Sequence, residues 1–393
     1  MIAYTWKFAE VKEILFALLL ILICFTAIDG APINTISTEQ TNGFNETNEH
    51  LSVVMLSYPT LKRLTQYFTT LNNKDLLSAR GSCKSFHELA SKLLNVRNKP
   101  LIITNGIISS TIDQQIFSTY KKINTSDFLK LQRWQPEFAL LFDDCNKPTL
   151  SRYMPFDCLH FQIRPYDNRF DILLNFPNGR VLGNNLPRNG VIIPKMRDAS
   201  VNFIISSDRF KLFSTEELKM LHKAKFIIAF GGSVLSPSDI ELDINSNIVP
   251  HLSKIQSVSI CYAFQVNCMN EWGYRVFLLF SGSNVETSTF LVETTNEEKL
   301  REKLLKWKSE LNFLESHHII PFHFTKESME PANSESIFRE IFGIQPATLR
   351  LSASELAETG LIYCNSPKSI TRNPSSVFAI VGYKKFGYIT TNL

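Results

Sequence analysis

The alternation of apolar and polar positions divides the chain into four stretches. Residues 14–28 (ILFALLLILICFTAI) are apolar on every face, interrupted only by Cys24 and Thr26. A helix of that composition has no solvent side, and the run is shorter than the roughly 20 residues a membrane span needs but within the range of a signal-peptide core. Lys7 and Lys12 precede it, and no Lys or Arg follows until Lys62. Positive flanks stay inside, so this asymmetry keeps the N-terminus cytosolic and directs the remainder across a membrane. Asp29-Gly30-Ala31-Pro32 then supplies small residues compatible with cleavage. Residues 1–28 are therefore expected to be a signal peptide or signal anchor, the alternatives being a buried helix or a start codon placed too far upstream. Residues 29–50 are a polar linker of Thr, Asn and Glu with almost no apolar spacing.

Residues 51–97 switch to helical periodicity. Leu61, Leu64, Tyr67, Phe68 and Leu71 recur at three- and four-residue intervals. After the polar break Asn72-Asn73-Lys74-Asp75, the positions Leu76, Leu77, Cys83, Phe86, Leu89, Ala90 and Leu93 continue the pattern. Two amphipathic helices joined by a tight turn are predicted, with Asp75 as an N-cap.

From residue 98 to 393 short apolar and aromatic runs predict strands at 101–104, 137–142, 158–163, 170–175, 201–205, 226–230, 258–262, 276–280 and 377–381. Three helices are expected among them. Ser214-Thr215-Glu216-Glu217 is a capping box opening one over 216–223, and Thr295-Asn296-Glu297-Glu298 opens a long one over 297–314. Ser352-Ala353-Ser354-Glu355 opens a third, stopped by Gly360. In the long helix Leu300, Leu304, Trp307, Leu311 and Leu314 form one apolar stripe, suited to packing on a sheet. The fold class expected is α+β or α/β: a helical module, then a mixed α/β region with a strand-rich core. No repeat of fixed period runs through the chain, although the 218–230 helix-to-strand segment could be one unit of an irregular leucine-rich-type array.

Composition narrows the function classes. The 393 residues are 44% hydrophobic and 20% charged, an ordinary globular balance with enough chain for two or three domains. With 41 Lys and Arg against 37 Asp and Glu, the formal charge of +4 gives no support to a nucleic-acid partner. Six of the seven cysteines lie beyond the leader: Cys83, Cys145, Cys158, Cys261, Cys268 and Cys364. That count suits either free thiols or bridges. Asn45 and Asn124 head glycosylation triplets that have meaning only if the chain is lumenal.

The chemical motifs are absent or partial. There is no G-x-x-x-x-G-K-[ST], G-x-G-x-x-G, H-E-x-x-H, G-x-S-x-G or C-x-x-C. Gly231-Gly232-Ser233 at a strand end is better explained as a turn than as a phosphate cradle. His317, His318 and His323 lack the spacing of a metal site, and Asp143-Asp144, Glu241 and Asp243 fit solvated strand ends better than a cation site. Cys261 and Cys268 suit core positions or a local disulfide, since no His and acid can be placed beside them. No catalytic residue, metal or cofactor is assigned.

One constellation carries a family resemblance. Pro59-Thr60-Leu61-Lys62-Arg63-Leu64-Thr65-Gln66-Tyr67-Phe68-Thr69-Thr70-Leu71, followed by Asp75-Leu76-Leu77 and Cys83-Lys84-Ser85-Phe86-His87-Glu88-Leu89, resembles an F-box. It departs from that pattern at Thr60, which stands where the proline belongs, and at Gly81-Ser82, which replace an aliphatic pair. The segment that follows is similar to the junction into the substrate region of nematode-type F-box proteins. The resemblance implies a non-catalytic substrate receptor that is cytosolic. Leu64, Tyr67, Phe68, Leu71, Leu76, Leu77 and Phe86 would bind the adaptor subunit of a cullin-type ubiquitin ligase, and region 98–393 would hold a protein substrate. The rival class is a type II membrane or secreted α/β protein, glycosyltransferase-like or an extracellular binding protein, associated with the membrane through 14–28.

Overall fold

The computed structural model describes residues 73–81, 84–97, 99–104, 107–109, 136–142, 159–166, 169–175, 189–196, 198–206, 213–233, 244–252, 257–266, 275–353, 357–366 and 369–385. The apolar leader, the linker, the helix expected over 61–71 and the acidic pairs at 143–144 and 241–243 lie outside them.

The helical module appears as α1 (Asn73–Arg80) and α2 (Lys84–Arg97). What the periodicity presents as one helix after the polar break is two, separated at Gly81, whose N–H donates to the Ser78 carbonyl at 3.1 Å. A glycine after the last turn is a common helix stop. Helix α1 already includes Asn73, so Asp75 sits within its first turn instead of capping it. In α2, Phe86, Ala90 and Leu94 are buried at four-residue spacing while Glu88 and Lys92 are exposed, an amphipathic stripe.

Beyond the helices the described residues form sixteen strands in three sheets. Sheet one contains β1 (Leu101–Thr104), β2 (Ile107–Ser109), β3 (Pro136–Phe142), β4 (Leu159–Tyr166), β5 (Arg169–Asn175) and β6 (Asn189–Pro194), in the order β2-β1-β6-β3-β4-β5. Sheet two contains β7 (Ser200–Ser206), β8 (Ala224–Ser233), β9 (Val258–Val266), β10 (Arg275–Ser281), β14 (Ala357–Ser366) and β15 (Ser369–Pro374), in the order β15-β14-β9-β8-β10-β7. Sheet three contains β11 (Val285–Val292), β12 (His317–Lys326), β13 (Ala347–Leu351) and β16 (Ser376–Lys384), in the order β11-β16-β12-β13. The α+β expectation holds at this level.

The three sheets share one topology. Each is built on four strands whose spatial order is first, fourth, second, third: β1-β6-β3-β4, β7-β10-β8-β9 and β11-β16-β12-β13. In each the first and second strands pair antiparallel with the fourth, and the second pairs parallel with the third. A parallel neighbour requires a crossover connection. Helix α5 (Ser334–Phe342) supplies it between β12 and β13, while α3 (Thr215–Lys223) and α4 (Glu297–Glu310) lead from the first to the second strand in sheets two and three. The 218–230 segment is thus part of a mixed sheet with an antiparallel neighbour, not of a leucine-rich array.

The inner faces of all three sheets meet in one core. At its centre each second strand contributes one phenylalanine: Phe142 from β3, Phe230 from β8 and Phe324 from β12. Their centroids lie 6.2 Å (Phe142–Phe230), 6.3 Å (Phe142–Phe324) and 5.9 Å (Phe230–Phe324) apart, with the rings edge to face. Such geometry sets the positive ring edge against the negative face. The outer face of sheet two is closed by Leu221 of α3 and by Ile244, Ile248, Val249 and Leu252. That of sheet three is closed by Leu300, Leu304 and Trp307 of α4 and by Ile337, Phe338 and Ile341 of α5. Two of the three predicted helix starts hold: Ser214 and Glu217 form the reciprocal capping box, and Asn296 Oδ1 accepts from Lys299 N–H at 2.9 Å, although the long helix ends at Glu310, short of the expected 314.

Two expectations fail for identifiable reasons. The Gly231-Gly232-Ser233 turn is strand: β8 continues through it, pairing with Phe264, Gln265 and Val266 of β9. Gly231 is needed because a Cβ there would lie 2.4 Å from the Phe264 ring. The helix expected to end at Gly360 is strand from Ala357 onward, since β14 pairs with β9 from Ala357–Gln265 to Cys364–Val258. Long-range pairing overrides the local cap signal, and Gly360 is where the Tyr262 side chain crosses β14, its hydroxyl 2.3 Å from where a Cβ would stand.

Two measurements follow from this packing. Phe142→Ala, Phe230→Ala and Phe324→Ala should each cost about 3–5 kcal/mol, and any two together should cost less than their sum because the second ring is lost from a site already emptied; denaturant midpoints in a double-mutant cycle read this directly. Gly360→Ala should cost roughly 2–3 kcal/mol through overpacking, whereas Gly343→Ala, at the left-handed cap of α5 (φ 73°) with nothing within 4 Å, should cost only about 1 kcal/mol.

Candidate functional site: a buried histidine–carboxylate network

Strand β12 alternates, as strands must. Ile320, Phe322 and Phe324 enter the central core, and His323 and Thr325 face the opposite side. His323 is fully buried, its ring stacked on Phe378 at 4.0 Å and 6°, and Phe378 stacks in turn on Phe338 of α5 at 4.8 Å. Its Nε2 is 2.9 Å from Glu330 Oε2 and its Nδ1 is 3.4 Å from Thr348 Oγ1. Glu330 belongs to the turn between β12 and α5, which Ser328 enters with φ 71°.

Two further groups complete the network. Arg350 of β13 donates to Glu335 Oε1 at 2.8 Å and lies 3.5 Å from Glu330 Oε1. Gln345 Nε2 donates to Glu335 Oε2 at 3.3 Å, and Thr325 Oγ1 bonds Ser376 Oγ at 2.7 Å. The cluster ties β12, β13, β16, α5 and the turn before α5 together. Burial works against ionisation of Glu330. The His323 imidazole, hydrogen bonds from His323 and Thr325, and the Arg350 charge outweigh it and hold the carboxyl below its ordinary range.

Thr348, His323 and Glu330 stand in the order hydroxyl, imidazole, carboxylate, the sequence of groups that activates a nucleophile. Access decides what that order can do. The Thr348 residue is 5% exposed, His323 0% and Glu330 7%, so no substrate atom reaches the hydroxyl. A buried polar network of this kind, in which only Glu330 Oε1 lacks a hydrogen bond and faces the Arg350 charge instead, fixes conformation.

A second cluster lies on sheet two. Tyr262 Oη donates to Glu358 Oε1 at 2.7 Å, and Arg372 bonds both the same carboxylate and, at 3.3 Å, the Tyr262 oxygen. Burial, with the hydrogen bond and charge of Glu358, raises the Tyr262 hydroxyl far above its usual range and keeps it protonated. This triad pins β9, β14 and β15 to one another.

Of the residues expected to contact an adaptor, Leu76 and Phe86 are both buried, and Leu77 lies in α1. Leu64, Tyr67, Phe68 and Leu71 fall outside the described residues, as do Asn45 and Asn124. His317 and His323 share a face of β12 but stand six residues apart, near 20 Å at about 3.3 Å per residue. Among the described residues no group of three or more His, Cys, Asp or Glu is placed to hold a metal. Cys261 is a free, fully buried core thiol, which removes the local disulfide with Cys268, and burial raises its pKa well above the usual range. Cys364 is likewise free, its thiol pushed up to about 11 by burial. The His323 network has no sequence signature: seven positions separate His323 from Glu330 across a turn, and Arg350 arrives from another strand.

Acid should loosen the fold in two steps. His318 is pushed down to about 3, first by burial and then by the charges of Lys385, Lys99 and His317, so the unfolded chain binds this proton more readily. Stability is therefore full above the unfolded value near 6.5 and falls as pH drops below it towards 3, by about 1–2 kcal/mol once the partial exposure of His318 is allowed for. Glu330 adds a loss that begins below about 4.5, as its depressed carboxyl is protonated. Urea midpoints from pH 7.5 to 3.5 should show both, with His318→Gln flattening the upper limb and Glu330→Gln the lower.

The chain matches no protein-family model and no curated protein.

Proposed function

We propose that the chain is a non-catalytic interaction protein, an F-box-like substrate receptor whose helical module engages the adaptor of a cullin-type ubiquitin ligase and whose three-sheet region holds a protein substrate. The observation that supports this reading is the pair α1 and α2, which occupies the segments carrying Asp75-Leu76-Leu77 and Lys84-Ser85-Phe86 and runs on at once into β1. Because Leu76 and Phe86 are buried in the chain itself, they serve in this reading to hold the helices together. The adaptor-facing set is then Leu64, Tyr67, Phe68, Leu71 and Leu77. Buried aromatic anchors such as Tyr67 and Phe68 would carry most of the energy of such an interface, with the leucines filling in around them. The inaccessibility of the Thr348–His323–Glu330 order agrees with a binding role for the strand-rich region.

Co-precipitation of the chain with the adaptor tests the proposal. Leu71→Asp and Phe68→Ala should each abolish the complex, a loss of about 2 kcal/mol or more at an interface hot spot. Lys219→Gln, on the exposed side of α3, should leave it intact. Wild-type chain that fails to bring down the adaptor, or variants that bind as well as wild type, would remove the F-box reading. A mobility shift on deglycosylation at Asn45 or Asn124 would favour the lumenal alternative instead.

A further inference from the structure

One corner of the three-sheet region, where ends of sheets one and three meet, holds polar groups that neither network uses. His318 and Tyr383 stand directly opposite each other in the β12–β16 register. Side chains so placed have Cβ atoms about 4.5–5.5 Å apart. Tyr383 belongs to the central core and is 2% exposed. Its Oη and the Nε2 of His318 are both closed off from solvent and have no hydrogen-bond partner among the described residues. Buried polar atoms without partners are uncommon, because each has given up its hydration for nothing in return. Two of them on paired positions of neighbouring strands make this corner a candidate for receiving another group.

The charges around the pair indicate what. Those acting on His318 are Lys385, Lys99 and His317, with no carboxylate among them. Lys385 is held at this corner by its Nζ donating to the Glu315 carbonyl at 2.6 Å and its N–H to the Ser316 carbonyl at 2.9 Å. Glu137, at the start of β3, acts on Tyr383 and is itself opposed by Lys195 just after β6. Glu286 acts on His317, where Lys384 and Lys385 oppose it. The Tyr383 hydroxyl is kept protonated, chiefly by burial and then by Glu137. The His318 ring is kept neutral. A hydroxyl donor, an imidazole N–H and flanking ammonium groups are the complement of an anion and a poor match for a cation.

We infer that this corner is a binding site for a small oxyanion, a carboxylate or a phosphate, which accepts hydrogen bonds from Tyr383 Oη and His318 Nε2 and is neutralised by Lys99 and Lys385. The site is independent of whether the chain engages an adaptor.

Thermal unfolding of the full chain at pH 7.5, with inorganic phosphate or acetate titrated against chloride at constant ionic strength, tests it. The expected result is a saturable rise in melting temperature with one of the two anions, and which one identifies the group received. Tyr383→Phe should weaken the fitted affinity about tenfold, as loss of a hydrogen bond to an anion does. Without added anion the same variant should melt no lower than wild type, because the hydroxyl it lacks has no partner among the described residues. Lys219→Gln, on an exposed face elsewhere, should titrate like wild type. A rise that never saturates, or one that is equal in wild type and Tyr383→Phe, would overturn the inference. So would a Tyr383→Phe chain that melts lower before any anion is added.

Discussion

Three phenylalanine rings in mutual contact hold the strand-rich region together. A sheet with one apolar face must bury it against something, and here each of three sheets buries its face against the other two. Phe142, Phe230 and Phe324 each come from the second strand of their sheet, so the point where the sheets converge is also the point where their shared topology aligns. Moving one sheet would separate its ring from both others. The same logic explains Gly231, which lets the Phe264 ring lie against β8 one residue after Phe230 has entered the core.

Strand β12 links this centre to the polar networks. Its even-numbered residues reach the phenylalanine cluster and His323 reaches Glu330, so a shift in one face is felt on the other. The exposed ion pairs Arg301–Glu340 and Lys303–Glu293 sit on the solvent side of the same helical layer and contribute little by comparison. Trp307 anchors that layer, its Nε1 donating to Ser288 Oγ at 2.8 Å and its ring stacked on Phe290 at 5.3 Å. Sheet three is therefore fastened on both sides.

Much of this was legible in the pattern of residues. Runs such as 138–142 and 276–280 are continuous apolar segments because their strands are buried in the interior, while 201–205, on the edge strand β7, keeps Asn202 among its apolar residues; all three expected strands fall within one or two residues of β3, β7 and β10. The caps at Ser214 and Asn296 are local chemistry and hold locally. Strands β2, β6, β11, β12, β13, β14 and β15 escaped: β11 is mixed and partly exposed, β14 follows the helix-start signal at Ser352–Glu355, and all seven take their form from the strands they pair with, most of them distant in sequence. The threefold arrangement left a trace that a search for fixed periods passes over. Phe138-x-x-x-Phe142, Phe226-x-x-x-Phe230 and Ile320-x-x-x-Phe324 mark the same strand in the three sheets, but the intervals between them are unequal. Helix α5, as long as α3, was hidden because its N-cap Asn333 makes no side-chain capping bond, and the charge network by the distance along the chain between its members.

The position of the fourth strand in each sheet bears on how the chain reaches this state. β6, β10 and β16 are each the last of their four to leave the ribosome, yet each lies between the first and second strands and hydrogen-bonds to both. Until it arrives, the earlier strands hold open a gap of one strand's width with unpaired backbone on either side. The register of a whole sheet is thus decided by its final segment, through contacts distant in sequence, which makes for slow assembly and a period of exposed strand edges. For the third sheet the wait is longest, because β14 and β15 are first laid down on sheet two before β16 closes the gap.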